Sequence, residues 1–511
     1  MRRAAGDVAE LVSVNQAGSW KPEWDSLDAH PMAGWFEDAK LGIFLDWGPW
    51  SVAGWAPLEG TTGTGGSYPD WYEFLMGNYY KAYHAETWGS DFRRDDLLPL
   101  LTGEAFDADW YAALAVDAGA KYLVPFARHH AGWTMWESQY TKRNAVEMGP
   151  HRDIYKELAV ACREQDLKLG LYFSISEWEY PAILDRPING WDARTGHLGT
   201  WRNELTFTNW RPAASSFYSE EMNGLASGKI AVRDYFADYL VPLFKEAVDT
   251  FDPDLVWWDG GWNTTTDLNR TREMSAYFYN SAEGRKSVVI NDRAGISPTR
   301  QHAAPGGGRE ADQPVLQSAP HGDFATREYN SGQGESTERK WEICRSISPA
   351  FGYNWQDTDE SCLSSEELIT MLVRIVAENG NLLLVIGPDA SGRLPAFQEA
   401  RLRDLGAWLR RNGEGIYGTR TWEVARDGDT FFTRSKDGRL VYVFRMSDAH
   451  GTVRVKSISP LPGSEIRILG SEIAVPWRAD GDGIEVTIPA VQPSADPAAF
   501  GIVMRVQVEA P

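Results

Sequence analysis

The chain has 511 residues, of which 43% are hydrophobic and 24% charged, with 48 Gly and 27 Pro; this is an ordinary globular composition and excludes collagenous, coiled-coil and disordered chains. Fifty Lys+Arg against 72 Asp+Glu leave a net charge of −22, which repels phosphate backbones and anionic lipid, so neither nucleic acid nor membrane is expected as a partner. Cys162, Cys344 and Cys362 are an odd number without CxxC spacing, which argues against a disulfide framework or a cysteine zinc site.

The opening segment, Met1-Arg2-Arg3-Ala4-Ala5-Gly6-Asp7, is followed by no apolar stretch, and no run of about 18 apolar residues occurs. A soluble cytoplasmic protein is expected, or a secreted one if a leader has been removed. From about residue 30 to about 415, short apolar runs at 41–45, 122–126, 168–173, 255–258, 287–290 and 381–386 predict strands. Amphipathic stretches at 107–118, 152–165 and 232–251 predict helices between them. Each strand runs into a polar or glycine-containing turn, among them Asp46-Trp47-Gly48, Arg128-His129-His130, Asp259-Gly260-Gly261 and Asn291-Asp292-Arg293. Alternating strands and helices with chemistry at the strand ends predict a (β/α)8 TIM barrel. Residues 183–228 and 294–338, the latter holding Pro305-Gly306-Gly307-Gly308, are expected to be long binding loops.

A helix is expected at 396–412, and beyond it short alternating runs at 430–433, 440–444, 465–469 and 502–506 predict a small antiparallel β-sandwich. The expected division is therefore a catalytic barrel over 1–420 and a C-terminal sandwich over 421–511 that supports it.

At the strand ends lie several carboxylates, His129, His130, Arg293 and many aromatics, but no Ser-His-Asp elbow, P-loop, HExxH or nucleotide fingerprint. The 23 Trp, 20 Tyr and 20 Phe serve mostly the core, yet flat rings with polar edges also suit sugars. Two carboxylates and aromatic walls at a barrel mouth are the equipment of glycoside hydrolysis. No cofactor or metal is called for: a metal-dependent hydrolase built on His129, His130, Asp46 and Asp259 is disfavoured because adjacent residues of an extended strand face opposite ways.

Eight segments in order then carry a resemblance: 35–44 (WFEDAKLGIF), 128–133 (RHHAGW), 149–154 (GPHRDI), 171–174 (LYFS), 257–260 (WWDG), 291–293 (NDR), 351–354 (FGYN) and 380–384 (GNLLL). Across about residues 30 to 420 the chain resembles glycoside hydrolase family 29, the α-L-fucosidases, and the C-terminal sandwich fits as well. The resemblance implies a retaining double displacement with Asp259 as nucleophile, a residue that by itself would equally cap a turn. It also implies Glu328, in Asp323-Phe324-Ala325-Thr326-Arg327-Glu328-Tyr329, as acid/base, with Glu335 and Glu338 as alternatives on the same stretch. It assigns sugar contacts to His129, His130, Tyr172 and Trp258 and a hydroxyl- or nucleophile-orienting contact to Arg293, which the residues alone leave open as a structural partner of Asp292 or Asp259.

Three departures stand out. The family's Phe-Ile-His-Trp-Gly is Phe44-Leu45-Asp46-Trp47-Gly48 here, its Glu-Trp-Tyr is Asp70-Trp71-Tyr72, and the Asp of His-His-Asp-Gly is Ala131. Asp46, Asp70 and Trp71 are thus expected at a rebuilt end of the sugar pocket, which leaves open another α-L-glycoside, such as an α-L-glucoside or α-L-galactoside. An inactive carbohydrate-binding homologue is the reading from another class, disfavoured because both candidate carboxylates are present. The expected partner is a terminal α-L-sugar, and a homo-oligomer is left open.

Overall fold

The computed structural model describes residues 2–58, 68–77, 79–177, 191–192, 197–198, 234–261, 266, 269–295, 321–329, 339–446, 451–471, 473–488 and 496–509. Eight parallel strands form one sheet: β1 (Leu41–Leu45), β2 (Tyr122–Pro125), β3 (Lys168–Ser174), β4 (Leu255–Asp259), β5 (Val289–Ile290), β6 (Ala325–Glu328), β7 (Trp341–Ser346) and β8 (Gly380–Ile386). They are ordered β5-β4-β3-β2-β1-β8-β7-β6, and a parallel bridge between Asn291 and Phe324 joins the two ends. The sheet is therefore a closed (β/α)8 barrel, as the alternating pattern predicts.

Helices follow the strands. α1 (Arg2–Ala17) precedes the barrel, and α2 (Ala108–Asp117), α3 (Ile154–Glu164), α4 (Val241–Phe251), α5 (Thr271–Ala282), α6 (Ser365–Ala377) and α7 (Ala396–Asn412) pack outside it. Their starts are written in local chemistry: Asp107 accepts from the Trp110 N–H, Asp153 from that of Lys156, and Ser364 with Glu367 forms a capping box. Helix α1 was not expected from the sequence; Asn15 fastens it to the Glu273 carbonyl of α5 at 2.9 Å. Among the described residues no helix is long and apolar enough to cross a membrane.

Strand alternation sorts the side chains. The Phe44 ring sits 4.5, 5.6 and 5.0 Å from those of Phe126, Tyr172 and Trp257, so these inward positions build the aromatic interior of the barrel. Gly42 lies beneath the Tyr122 ring, where a Cβ would come within 2.3 Å. Glu342 of β7 also points inward, accepting from Trp257 Nε1 at 2.9 Å and from the Tyr122 hydroxyl; burial raises its carboxyl to about 7.

Strands β6 and β7 correct the expectation that 294–338 is loop throughout and that no strand follows until 381. Their sequences, Ala-Thr-Arg-Glu and Trp-Glu-Ile-Cys-Arg-Ser, carry polar residues on the inner face and so lack the apolar run that marks the other strands. Most of the remainder of that loop, and most of 183–228, lies outside the described residues.

From Arg420 onward the chain is antiparallel, with strands β9 (Arg420–Asp427), β10 (Thr430–Arg434), β11 (Leu440–Arg445), β12 (Gly451–Lys456), β13 (Ile466–Ile468), β14 (Ala474–Val475), β15 (Trp477–Asp480), β16 (Gly483–Ile488) and β17 (Ile502–Gln507). A six-stranded sheet, β9-β10-β11-β17-β13-β14, faces a three-stranded one, β12-β16-β15. Phe432, Val443, Val486 and Met504 lie in the sandwich core, whereas Phe431, Tyr442 and Phe444 pack into the barrel's cluster.

Candidate active site

The C-terminal strand ends gather the titratable residues. Asp259 ends β4, and Asn291 clamps that strand by accepting from the Trp258 N–H at 2.9 Å and donating to its carbonyl at 3.0 Å. The next residue, Gly260, has φ +72°, and a Cβ there would lie 2.6 Å from Ser174 Oγ; only glycine fits this turn. Asp259 Oδ2 accepts from the Tyr172 hydroxyl at 2.6 Å and lies 3.5 Å from His130 Nε2, and Arg293 Nη1 is 3.6 Å from Oδ1. Burial alone would raise this carboxyl; His130, Arg293 and Tyr172 outweigh it and hold the group well below the ordinary carboxylate range. Asp259 is a fixed anion at the mouth of the barrel.

Glu328 ends β6, and its Oε1 accepts from Arg293 Nη1. The same guanidinium nitrogen therefore touches both candidate carboxylates, one from each of two strands. Arg293 is held by its Nε on Thr326 Oγ1 at 2.8 Å, and Thr326 in turn donates to Asp292 Oδ1 at 2.7 Å. Asp292 thus acts on Arg293 through Thr326, and Arg293 caps the Trp257 ring at 4.6 Å. A retaining pair must lie about 5–5.5 Å apart, and carboxylates reaching one nitrogen are neighbours on that scale. Glu335 and Glu338, the alternatives to Glu328, lie outside the described residues.

His129 and His130 are both buried, with ring centroids 4.3 Å apart, and serve different carboxylates. His130 pairs Nδ1 with Ser174 Oγ at 2.6 Å, the serine hydroxyl itself donating to the Ser176 carbonyl at 2.5 Å, and turns Nε2 to Asp259, whereas His129 Nε2 lies 3.5 Å from Asp70 Oδ2. Burial and the neighbouring His130 push His129 well below the ordinary imidazole value, so it is neutral. Trp71 meets the His130 ring edge-on at 5.8 Å. Arg143 ties the two segments together, pairing with Glu73 at 3.1 Å and with Asp95 while donating from Nε to the Ala131 carbonyl at 3.3 Å.

Two assignments change. Tyr172 is stacked 4.3 Å from Phe126, so its ring is interior packing and its hydroxyl is turned to Asp259. Trp258 is fully buried against Phe244 of α4, with ring centroids 4.8 Å apart. The period of two that points Asp259 inward turns Trp258 to the helix layer, and Trp257 takes the interior place expected of it. Trp257, Ser174 and Thr326 are site residues that the sequence reading missed; only the shared parity of Trp257 with Asp259 and of Thr326 with Glu328 would have singled out two of them.

Asp46 and Asp70 are buried beside these groups. Trp50 Nε1 donates to Asp46 Oδ1 at 2.8 Å, and the Trp50 ring lies 4.5 Å from that of His129, which links the anchors of both carboxyls. Asp46 Oδ2 and Asp70 Oδ1 have no hydrogen-bond partner among the described residues; buried without a protein partner, each can pair with a polar ligand. Burial raises Asp46 to about 8 against the Trp50 contact, and burial, Asp46, Glu328 and Asp259 raise Asp70 as well.

A pKa raised on folding means that the folded state binds the proton more tightly than the unfolded chain. The associated stability is full below the ordinary carboxylate value of about 4 and is lost as pH rises through about 8. Asp46→Asn, neutral at every pH, is expected to raise the melting temperature more at pH 8.5 than at pH 5. A shift of equal size at both pH values refutes this assignment.

This geometry has relatives. Residues 8–414 match the family model described as Alpha-L-fucosidase. The plasma α-L-fucosidase of Pongo abelii is 30% identical over 502 residues, covering 96% of this chain and 93% of that protein. The α-L-fucosidase of Branchiostoma floridae is 28% identical over 507 residues, covering 98% of each. The crystal structure of Thermotoga maritima α-fucosidase in complex with fucose superposes with a TM-score of 0.72 at 29% identity, over 95% of this chain and all of that one. With a family match across most of its length and the two carboxylates on a barrel mouth, this chain belongs to the α-L-fucosidase family, glycoside hydrolase family 29.

Proposed function

We propose that this chain hydrolyses terminal α-L-fucosides with retention of configuration, using Asp259 as nucleophile and Glu328 as acid/base. The observation that carries the reading is the single Arg293 nitrogen contacting both carboxylates. Asp259, kept ionised by His130, Arg293 and Tyr172, attacks the anomeric carbon while Glu328 gives its proton to the departing glycosidic oxygen. The resulting glycosyl ester is then cleaved by water, which loses its proton to Glu328 and displaces the Asp259 carboxylate. The barrel, residues 1–420, holds all of these groups, and residues 421–511 support it.

The unpartnered oxygens of Asp46 and Asp70 favour a second reading of the glycone alone, an α-L-sugar that differs from fucose at C4 or C6. A site built to pair with one hydroxyl rejects the wrong pattern by up to about 10⁴–10⁵, so initial rates decide. The panel is the 4-nitrophenyl α-L-fucoside, α-L-glucoside, α-L-galactoside, α-L-rhamnoside and β-D-fucoside. The fucoside is expected to be fastest; a faster α-L-glucoside or α-L-galactoside moves the glycone, and turnover of none overturns the reading. The partner is a carbohydrate, and self-association is open to sedimentation. The cytoplasmic location expected from the sequence draws no support from the relatives, of which one is a plasma enzyme.

A further inference from the structure

The loop after β1 and the segment after β7 build a second aromatic surface beside the mouth. The rings of Trp55 and Tyr83 lie parallel, 3.6 Å apart at 4°, and Tyr80 closes edge-on against Trp55 at 5.1 Å. Trp355 joins from the other segment: it is 56% exposed, and its indole Nε1 donates to the Tyr83 hydroxyl at 3.4 Å. This is no dangling side chain. The Trp355 N–H donates to the Gly54 carbonyl at 2.8 Å, and Asn354 Nδ2 and Gln356 Nε2 both donate to the Ala56 carbonyl at 2.9 Å.

The surface is continuous with the pocket wall by two routes. Gly352, three residues before Trp355, packs its backbone on Asp70 at φ +77°, where a Cβ would lie 3.0 Å from the Asp70 nitrogen. Tyr83 meets the Tyr72 ring edge-on at 6.5 Å, two residues from Asp70. A large ring kept in water and fixed by hydrogen bonds presents a flat apolar face with polar edges, the shape and chemistry that the C–H face of a pyranose stacks on.

We propose that Trp355, backed by the Trp55–Tyr83 stack, is the aglycone platform of this enzyme and binds the pyranose ring that departs with the glycosidic oxygen. The assignment rests on the glycosidase reading above, since an aglycone exists only where a glycosidic bond is cut in the pocket. It follows that Trp355 holds the leaving sugar and is silent toward substrates without one.

The test uses the full-length wild type, Trp355→Ala and Trp355→Phe. Kinetics are measured on α-L-fucosyl fluoride, whose leaving group is a single atom, and on whichever of the (1→2)-galactose and the (1→3)-, (1→4)- and (1→6)-N-acetylglucosamine α-L-fucosyl disaccharides the wild type cuts best. Trp355→Ala is expected to lower kcat/KM on the disaccharide at least tenfold, chiefly through KM, and to leave the fluoride within twofold. Trp355→Phe, which keeps a stacking face, is expected to restore most of the loss.

Equal losses on both substrates, or no loss on either, overturn the platform. So does a wild type that turns over the fluoride but none of the disaccharides, an outcome that leaves the glycosidase reading standing. A change in sedimentation with unchanged discrimination makes the patch a contact between copies of the chain, which also overturns it. A wild type inert on the fluoride removes the α-L-fucoside reading, and with it the platform for a leaving sugar of a fucoside.

Discussion

Replacing Asp259 by Asn is expected to lower kcat by about 10⁴-fold or more, the range seen when a covalent nucleophile is removed. The amide keeps the size of the carboxylate, and its oxygen still accepts from the Tyr172 hydroxyl, which donates to Oδ2 at 2.6 Å in the parent chain. Folding should therefore survive, and the melting temperature checks it. What is lost is the negative charge that Arg293 and His130 hold in place and that must become the ester oxygen. Asp259→Gly goes further by opening a gap in which an added anion can do the attacking. Azide is expected to restore turnover of a fluoride substrate in Asp259→Gly, giving a fucosyl azide of inverted configuration. Retention in that product, or wild-type rates in Asp259→Asn, assigns the nucleophile elsewhere.

The pH behaviour of Asp259 follows from its partners. Its pKa is lowered on folding, so the stability it contributes is present above the ordinary carboxylate value and is lost only as pH falls through the depressed one. The acid limb of kcat/KM is accordingly expected to report a group other than the nucleophile.

Removing Glu328 has the second-largest expected effect, and it depends on the leaving group. A general acid contributes about 10²–10⁴-fold, and a sugar alkoxide needs that proton far more than 2,4-dinitrophenolate does. Glu328→Ala is expected to lose about 10³-fold on a fucosyl disaccharide. On the dinitrophenyl fucoside its glycosylation rate should be close to that of the wild type, with hydrolysis of the ester now limiting and accelerated by azide. Because Arg293 grips both Glu328 and Asp259, Glu328→Gln serves as the control that keeps a hydrogen-bond acceptor for the guanidinium. Uniform losses across leaving groups give Glu328 a structural role and pass the proton to Glu335 or Glu338.

Much of this was legible in the residues. Apolar runs such as Leu41–Leu45 and Gly380–Ile386 mark barrel strands because the interior they enter is apolar, and Asp107, Asp153 and Ser364 mark helix starts because their side chains satisfy open N–H groups nearby. The family resemblance pointed to Asp259 and Glu328 because each is set in a locally distinctive segment. Strand β6 escaped notice for the opposite reason: its inner face, Thr326 and Glu328, is given over to the site, and a strand whose buried face is polar has no hydrophobic period to detect.

The sequence by itself determined the barrel and the sandwich and singled out Asp259 and Glu328 as the candidate carboxylates, since each depends on spacing along the chain or on a short local motif. The tertiary structure alone decided that Trp257 rather than Trp258 enters the interior, that His129 and His130 divide between Asp70 and Asp259, and that Arg293 joins two strands through one nitrogen. These relations lie between residues distant in sequence, brought together by strand parity and barrel closure. The charge state of Asp46 belongs with them, because burial sets it and burial is a property of the whole fold.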